Sequence, residues 1–198
     1  MFNRSKYKKI LTIMCLILII AVVGIVVVIG CKMYNNYYIE AGAKVAIEKF
    51  EESLNSDKKT ITKYKDFTVI GIIEIPDINI KYPILQENMA EAMETSIVLM
   101  YTSQGLNKEG NSAFMGHNYR NNTMFSNLQE LKNGEYIYIT DSDGERVRYK
   151  VYSVYNSTDT ENEYITRNVI GKSEISLVTI TNDRKEKTIV LASEYKEN

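Results

Sequence analysis

The chain opens with one long apolar run and continues with short alternating runs. Residues 10–30 carry no charged side chain, and about 20 apolar residues in a helix cross a bilayer core of about 30 Å. The run therefore predicts a transmembrane helix over 10–30. The residues before it include four basic side chains and no acidic one, namely Arg4, Lys6, Lys8 and Lys9. By the positive-inside rule, the N-terminus is cytoplasmic and the remainder lies outside the cell membrane.

Three interpretations of the apolar run compete. A cleaved signal peptide has a shorter apolar region and a small-x-small cleavage site, and the sequence shows neither. A lipoprotein signal is the second, because Val28-Ile29-Gly30-Cys31 is similar to a lipobox in which Cys31 carries the lipid. An uncleaved signal anchor is the third, and we prefer it because the apolar run is longer than lipoprotein signals need. Either of the last two tethers the outer domain to the membrane.

A second helical pattern follows the apolar run. From Tyr38 to about Ser56 the apolar residues recur every three or four positions, with Glu and Lys between them. This pattern predicts a juxtamembrane helix that packs on the following domain or separates it from the membrane. The predicted organisation is a cytoplasmic basic stub (1–9), a transmembrane signal anchor (10–30), a juxtamembrane helix with its linker (31–65) and an outer domain (66–198).

Beyond Lys65 the pattern changes to runs typical of β-strands, separated by turn-forming residues such as Asp141 to Gly144. The 15 tyrosines of the chain also favour strands. We predict strands over 67–75, 78–80, 82–85, 112–116, 135–140, 146–154, 174–180 and 187–192, and short helices over 90–100, 124–131 and 163–170. Many short strands with few helices are typical of a closed or nearly closed barrel. The predicted fold class is mainly β, a β-barrel with short helices preceded by one N-terminal transmembrane helix.

Composition narrows the chemistry of the outer domain. The two cysteines are Cys15 and Cys31, so the chain from Lys32 onward has no thiol for a disulfide, a nucleophile or a metal site. His117 is the single histidine, which excludes a site with several histidine ligands. The formal net charge of −1 shows no excess of basic residues of the kind that nucleic-acid-binding proteins usually carry. We therefore predict no cofactor, no metal and no nucleic-acid partner.

Four segments, taken in order, resemble the sortases, the membrane-anchored cysteine transpeptidases of Gram-positive bacteria. Ile73 to Ile84 is similar to the family's opening strands, and Gly110 to Asn118 is similar to the strand and turn that carry its catalytic histidine. Thr123 to Glu135 is similar to the segment after that turn, and Ser176 to Asp183 is similar to the Thr-Leu-x-Thr-Cys signature strand. Together these segments cover nearly all of 67–192, and the predicted anchor agrees with the family's topology. The resemblance implies a sortase-type β-barrel.

The resemblance also implies a mechanism and assigns residues to it. In the family, a Cys thiolate attacks a carbonyl of a sorting signal such as Leu-Pro-x-Thr-Gly, and an amine of the cell wall or of a pilin resolves the acyl-enzyme. His117 matches the family histidine. Ile180 stands at the position of the nucleophilic cysteine, and Lys187 at that of the arginine, with Arg184 as the alternative. Lysine keeps the positive charge but lacks the planar fork with which arginine grips an oxyanion.

The neighbours of Ile180 offer no replacement nucleophile. Thr179 and Thr181 flank it, and side chains alternate across a strand, so both are expected to face away from the site. The sequence contains no Gly-x-Ser-x-Gly elbow. Loss of the nucleophile together with the arginine fits a site that has decayed naturally.

The interpretation we prefer is a catalytically inactive sortase homologue, a binding or accessory protein for cell-wall sorting or pilus assembly. Its expected partners are a sorting-signal peptide, a pilin or an active sortase. The peptide groove is expected near His117, between the 156–170 connection and the 181–187 turn. Two alternatives are an active transpeptidase with a non-standard site and a lipoprotein-type structural module that kept only the barrel.

Overall fold

A computed structural model describes residues 4–56, 60–119, 121–158, 162–181 and 185–197. The chain divides into two compact units, Met1–Ile39 and Glu40–Asn198. The first is helical over its described residues. The second contains a β-barrel together with the C-terminal part of the same helix.

The first helix, α1 (Arg4–Leu54), is continuous over 51 residues. The sequence predicts two separate helices here, over 10–30 and from Tyr38 to about Ser56, whereas the structure shows no break between them. Residues 31–37 contain neither Pro nor Gly, so nothing ends the helix there. Within the described part of the chain, α1 is the one helix long and apolar enough to cross a membrane, and its most apolar stretch is entirely unburied.

Within the second unit, the C-terminal part of α1 buries an apolar stripe. Its buried residues are Ala43, Ala46, Ile47 and Phe50, at the helical spacing that the sequence predicts. At its end, Ser53 Oγ accepts a hydrogen bond of 3.3 Å from Thr62 Oγ1, and Glu51 pairs with Lys81 at 3.0 Å. This part of α1 therefore belongs to the folded domain.

The described residues of the second unit form nine β-strands and one further helix, α2 (Ala90–Thr95). The strands are β1 (Lys63–Tyr64), β2 (Phe67–Ile75), β3 (Ile80–Leu85), β4 (Ile97–Thr102), β5 (Gly110–Met115), β6 (Tyr136–Asp141), β7 (Arg146–Ser157), β8 (Ser173–Ile180) and β9 (Lys187–Glu194). Short 3₁₀ turns lie at Pro76–Ile78 and Leu128–Glu130.

The strands form one sheet in the order β1-β2-β3-β4-β5-β8-β9-β7-β6, and an additional pairing of β2 with β6 closes it. Alternate residues fill the interior: in β6, Ile137 and Ile139 are buried, whereas Tyr136 and Tyr138, which alternate with them, are only partly buried. The predicted fold class, a mainly β barrel with short helices after an apolar N-terminal helix, is confirmed.

The predicted helices are the least accurate part of the sequence interpretation. The helix predicted over 90–100 ends at Thr95, and β4 follows it. The β-branched Ile97 and Val98 pair in parallel with β3 and are fully buried, which favours a strand. Only a 3₁₀ turn forms within 124–131, and 163–170 has a turn with no helix.

The strands β5 and β8 are parallel neighbours, with Gly110 opposite Ser173 and Met115 opposite Val178. Parallel strands end at the same edge of a sheet, so the residues that follow β5 lie beside the end of β8. This edge holds the candidate site.

Candidate functional site

The ends of β5 and β8 bring His117 and Ile180 together. Gly116 N donates to Val178 O at 3.2 Å, and Thr179 Oγ1 donates to Gly116 O at 2.7 Å. Since Met115 is paired with Val178, two further residues along each strand set His117 beside Ile180. The residues at the predicted histidine and cysteine positions therefore lie at the same edge of the sheet, His117 two residues beyond the end of β5 and Ile180 at the end of β8.

Ile180 ends β8 with a side chain that solvent reaches. Its exposed fraction is 42%, whereas the seven preceding residues of β8 are all buried. Thr179 is fully buried on the opposite face, with its hydroxyl bonded to Gly116 O. The Thr181 hydroxyl donates to Glu186 O at 3.0 Å and accepts from Glu186 N at 3.1 Å. Both flanking hydroxyls are thus engaged with backbone.

The loop after β5 positions His117. Phe125 N donates to His117 O at 3.2 Å, and the imidazole lies 5.0 Å from the Tyr119 ring, centroid to centroid. Gly116 permits this approach, because a Cβ there would lie 2.8 Å from Phe125 Cδ2. Burial lowers the pKa of His117 below its ordinary value, and the charge of Glu94 on α2 partly opposes this. Burial therefore favours the neutral form of the imidazole.

Lys187 begins β9 directly opposite Ile180 in the antiparallel register. Its Nζ donates to Asn162 Oδ1 and to the Tyr164 hydroxyl, both at 3.0 Å, and lies 5.5 Å from the centre of the Tyr164 ring. Cross-strand partners share a face of the sheet, so the ammonium lies on the face that carries the Ile180 side chain. The alternative cation, Arg184, lies outside the described residues.

The connection between β7 and β8 covers this face beside Lys187. Tyr164 packs against Val178 and Ile189 in a buried cluster. Asn111, fully buried in β5, holds the connection in place, because its Nδ2 donates to Tyr164 O at 3.1 Å and to Ile165 O at 2.8 Å. A cavity of about 180 Å³ remains beneath it, lined by Met100, Ala113, Met115, Asn162, Tyr164, Ile165, Val178 and Lys187.

A buried charge cluster fixes the other end of the connection. Glu174 of β8 is 2% exposed and accepts from Arg167, Lys172 and the Tyr152 hydroxyl. Burial alone would raise the pKa of Glu174, but the hydrogen bonds from Lys172 and Tyr152 and the nearby cations outweigh it and lower the pKa. Sequence reasoning missed this cluster, whose only local signal is one acidic residue within an otherwise uncharged strand.

The arrangement supplies a neutral imidazole and an ammonium on either side of an apolar side chain. It offers no thiolate, because both cysteines lie in α1. Within the described residues, no group of three or more His, Cys, Asp or Glu side chains could hold a metal ion.

Comparison with known proteins agrees with the fold. A family model described as the sortase domain matches residues 73–195. The chain belongs to the sortase family. The recognition made from the sequence is thus confirmed, while the roles given to His117, Ile180, Lys187 and Arg184 stay predictions.

Individual sortases are similar over most of the chain. Sortase A of Bacillus anthracis is 28% identical over 171 residues, which cover 77% of this chain and 80% of that protein. A Clostridium perfringens Sortase D5 transpeptidase has a similar structure, with a TM-score of 0.67, 22% identity, and coverage of 79% and 99%. Clostridium perfringens sortase C with the C-terminal cell wall sorting motif has a TM-score of 0.58, 21% identity, and coverage of 81% and 91%. At these identities the structural matches show the fold alone.

Proposed function

We propose that this sortase is a catalytically inactive binding or accessory protein at the outer face of the cell membrane, with a role in cell-wall sorting or pilus assembly. The observation that carries the proposal is Ile180, an exposed hydrocarbon side chain at the end of β8 beside His117. Acyl transfer through a covalent intermediate needs an activated nucleophile, and a saturated hydrocarbon cannot form a thioester or an ester.

The cation of the site supports the same proposal. Lysine at position 187 is a point charge, and two of its three donors are already directed at Asn162 and Tyr164. It lacks the planar fork with which arginine holds an oxyanion at two points. The two positions that the resemblance assigns to the nucleophile and the oxyanion donor thus both carry other residues, whereas the barrel is kept.

The expected occupant of the groove is an extended peptide. A similar sortase structure was solved with a C-terminal cell wall sorting motif, so a sorting-signal peptide is the first ligand to test. The expected protein partner is a pilin that carries a sorting-signal peptide, or an active sortase that binds the same peptide. The apolar part of α1, which fits a membrane anchor, would hold the domain near such partners.

The proposal is tested on the full chain in lipid nanodiscs. The protein is incubated with a pool of sorting-signal peptides and amine acceptors, and products are identified by mass spectrometry. The double variant Ile180→Cys, Lys187→Arg serves as the matched comparison. We expect peptide binding without cleavage for the natural protein, and cleaved or ligated product for the double variant. Turnover by the natural protein would overturn the proposal and favour an active transpeptidase with a non-standard site.

A further inference from the structure

A second cavity lies within the folded unit, between the C-terminal part of α1 and the barrel, and we call it the helix groove. Its volume of about 510 Å³ lies in the range of roughly 300–1,000 Å³ that small-molecule sites occupy. One wall is α1, and the other is formed by the start of β3 and by the loop that follows His117. Glu51 of α1 pairs with Lys81 of β3 at 3.0 Å, and this ion pair holds the two walls together.

The bottom of the helix groove is mainly apolar, whereas its rim is polar. Ala43, Ile47 and Tyr82 line the bottom and are buried. On the α1 wall the rim consists of exposed charged residues that recur every three or four positions and therefore lie on one face of the helix. They are Glu40, Lys44, Glu48 and Glu51. The helix wall thus presents carboxylates and an ammonium group above an apolar bottom.

Two exposed asparagines line the barrel wall of the helix groove. Asn79 precedes β3 with a φ of 54°, and Asn122 follows His117 along the chain with a φ of 65°. Glycine adopts this left-handed backbone most easily, and asparagine is one of the few other residues that adopt it readily. Each asparagine adds an amide, which both donates and accepts hydrogen bonds. The barrel wall therefore complements the carboxylates and the ammonium group of the helix wall.

We propose that the helix groove binds a neutral sugar, one or two pyranose rings of a glycan. The rim carries both carboxylates and ammonium groups, so a ligand with a net charge of either sign meets like charges as well as opposite ones. Carboxylates only accept hydrogen bonds and ammonium groups only donate them, whereas a hydroxyl does both. Neighbouring hydroxyls of a pyranose therefore satisfy both kinds of group, while the C–H face of the ring covers the apolar bottom.

The helix groove is separate from the site on which the proposed function rests. Its lining residues include neither Ile180 nor Lys187. Sugar binding is therefore a further activity of the domain, and it does not depend on whether the protein transfers peptides.

The experiment is isothermal titration calorimetry on the full chain in lipid nanodiscs, with empty nanodiscs as the blank. The neutral probes are cellobiose and N,N′-diacetylchitobiose. Cellobiouronic acid and deacetylated chitobiose are their anionic and cationic analogues, and the uncharged peptide acetyl-Ser-Gly-Ser-amide is the comparison that is not a sugar. We expect a neutral disaccharide to bind with a millimolar Kd, and the charged analogues and the peptide to bind at least about twofold more weakly.

Three variants show whether the sugar occupies the helix groove. Asn79→Gly removes an amide and keeps the left-handed backbone, and Glu48→Ala replaces an exposed carboxylate by the best helix former. Each should weaken binding of the neutral disaccharide by about two- to tenfold, the effect of losing one hydrogen bond. Glu52→Ala is the matched control, because Glu52 is exposed on α1 and does not line the groove. It should leave the affinity unchanged, and circular dichroism checks that all three variants are folded.

Several results would overturn this inference. They are no binding of either neutral disaccharide at millimolar concentrations, tighter binding of a charged analogue or of the peptide, and an unchanged affinity in both groove variants. An equal loss of affinity in Glu52→Ala also overturns it, because the effect would then not come from the groove. None of these results bears on peptide cleavage by the Ile180→Cys, Lys187→Arg variant, so the two proposals fail separately.

Discussion

The side-chain amide of Asn118 donates a hydrogen bond of 3.1 Å to the backbone carbonyl of Ile180. This bond ties the loop that carries His117 to the end of β8. The histidine is therefore held beside position 180 by contacts that do not involve the side chain at that position. A substitution at 180 can change the chemistry of the site without moving its neighbours.

The first prediction concerns Ile180→Cys as a single substitution. We expect weak or no transpeptidation, because the resemblance predicts Lys187 at the position of the family's arginine and lysine lacks the planar fork of arginine. The free energy of unfolding should change by less than about 1 kcal/mol, since the side chain is 42% exposed. Product formation by mass spectrometry and urea unfolding of the same samples check both points. Robust turnover would instead mean that Lys187 serves the oxyanion as well as arginine does.

The second prediction is a pH dependence of stability carried by His117. Burial holds the folded-state pKa below the unfolded value of about 6.5. As the pH falls through that value, the unfolded chain binds a proton that the folded protein does not, so the free energy of unfolding decreases until the folded pKa is reached. Urea unfolding at pH 7.5, 6.5 and 5.5 should show the natural protein losing stability relative to His117→Gln. A constant difference would contradict the burial of a neutral imidazole.

The third prediction concerns the Glu174 cluster. Glu174→Ala leaves Arg167 without its carboxylate, with only 23% of the Arg167 side chain exposed. Removing one partner of a buried pair costs about 3–5 kcal/mol, and the partial exposure of Arg167 reduces the expected loss to about 2–3 kcal/mol. Lys172→Ala removes the more exposed cation, 54% exposed, and should cost less than about 1 kcal/mol. Equal losses for the two variants would show that the carboxylate does not organise the cluster.

The same cluster predicts behaviour in acid. The folded pKa of Glu174 is lowered, so its contribution to stability is present above the unfolded pKa of about 4.3 and is lost as the pH falls through the folded value. The difference between the natural protein and Glu174→Gln should therefore shrink as the pH is lowered below about 4. The Tyr152 hydroxyl, whose pKa burial and its bond to Glu174 raise to about 12, stays protonated throughout this range.

The fourth prediction tests the loop that positions His117. A Cβ at Gly116 would meet Phe125 Cδ2 at 2.8 Å and Ile97 Cγ1 at 3.2 Å. Gly116→Ala should lower the free energy of unfolding by about 1–3 kcal/mol, the usual cost of overpacking, as followed by circular dichroism in urea. Adding Phe125→Leu provides space, so the double variant should lose less than the sum of the single losses. Strict additivity would indicate that the loop moves away as a whole.

Local patterns in the sequence predict much of this fold. The strand expected over 67–75 is present as β2 with the same limits, because its β-branched residues favour an extended backbone and Pro76 ends it. The strand after Thr95 was missed, since Ile97 to Met100 has no alternation to separate it from a short helix. The parallel pairing with β3 makes this segment a strand. The local sequence pattern gives no information about that pairing.

The candidate site, like the fold, could be predicted from the sequence only in part. His117, Ile180 and Lys187 could be named from motifs, and the structure pairs Ile180 with Lys187 and ties the loop that carries His117 to Ile180. Asn111 and Tyr164 could not be named, because Asn111 acts on a segment more than 50 residues away. The apolar cavity is likewise formed by residues from five separate segments. Its existence depends on tertiary packing.

The position of β9 in the sheet also affects how the domain folds. β9 lies between β8 and β7, although it follows both along the chain. The contact between Gly116 and Thr179 spans 63 residues, and closing so long a loop before any contact forms slows folding. A chain synthesised from its N-terminus therefore holds β5 and β7 with open edges until the last two strands emerge. Open edges pair readily with other chains, so rapid delivery of β8 and β9 protects the nascent protein from aggregation.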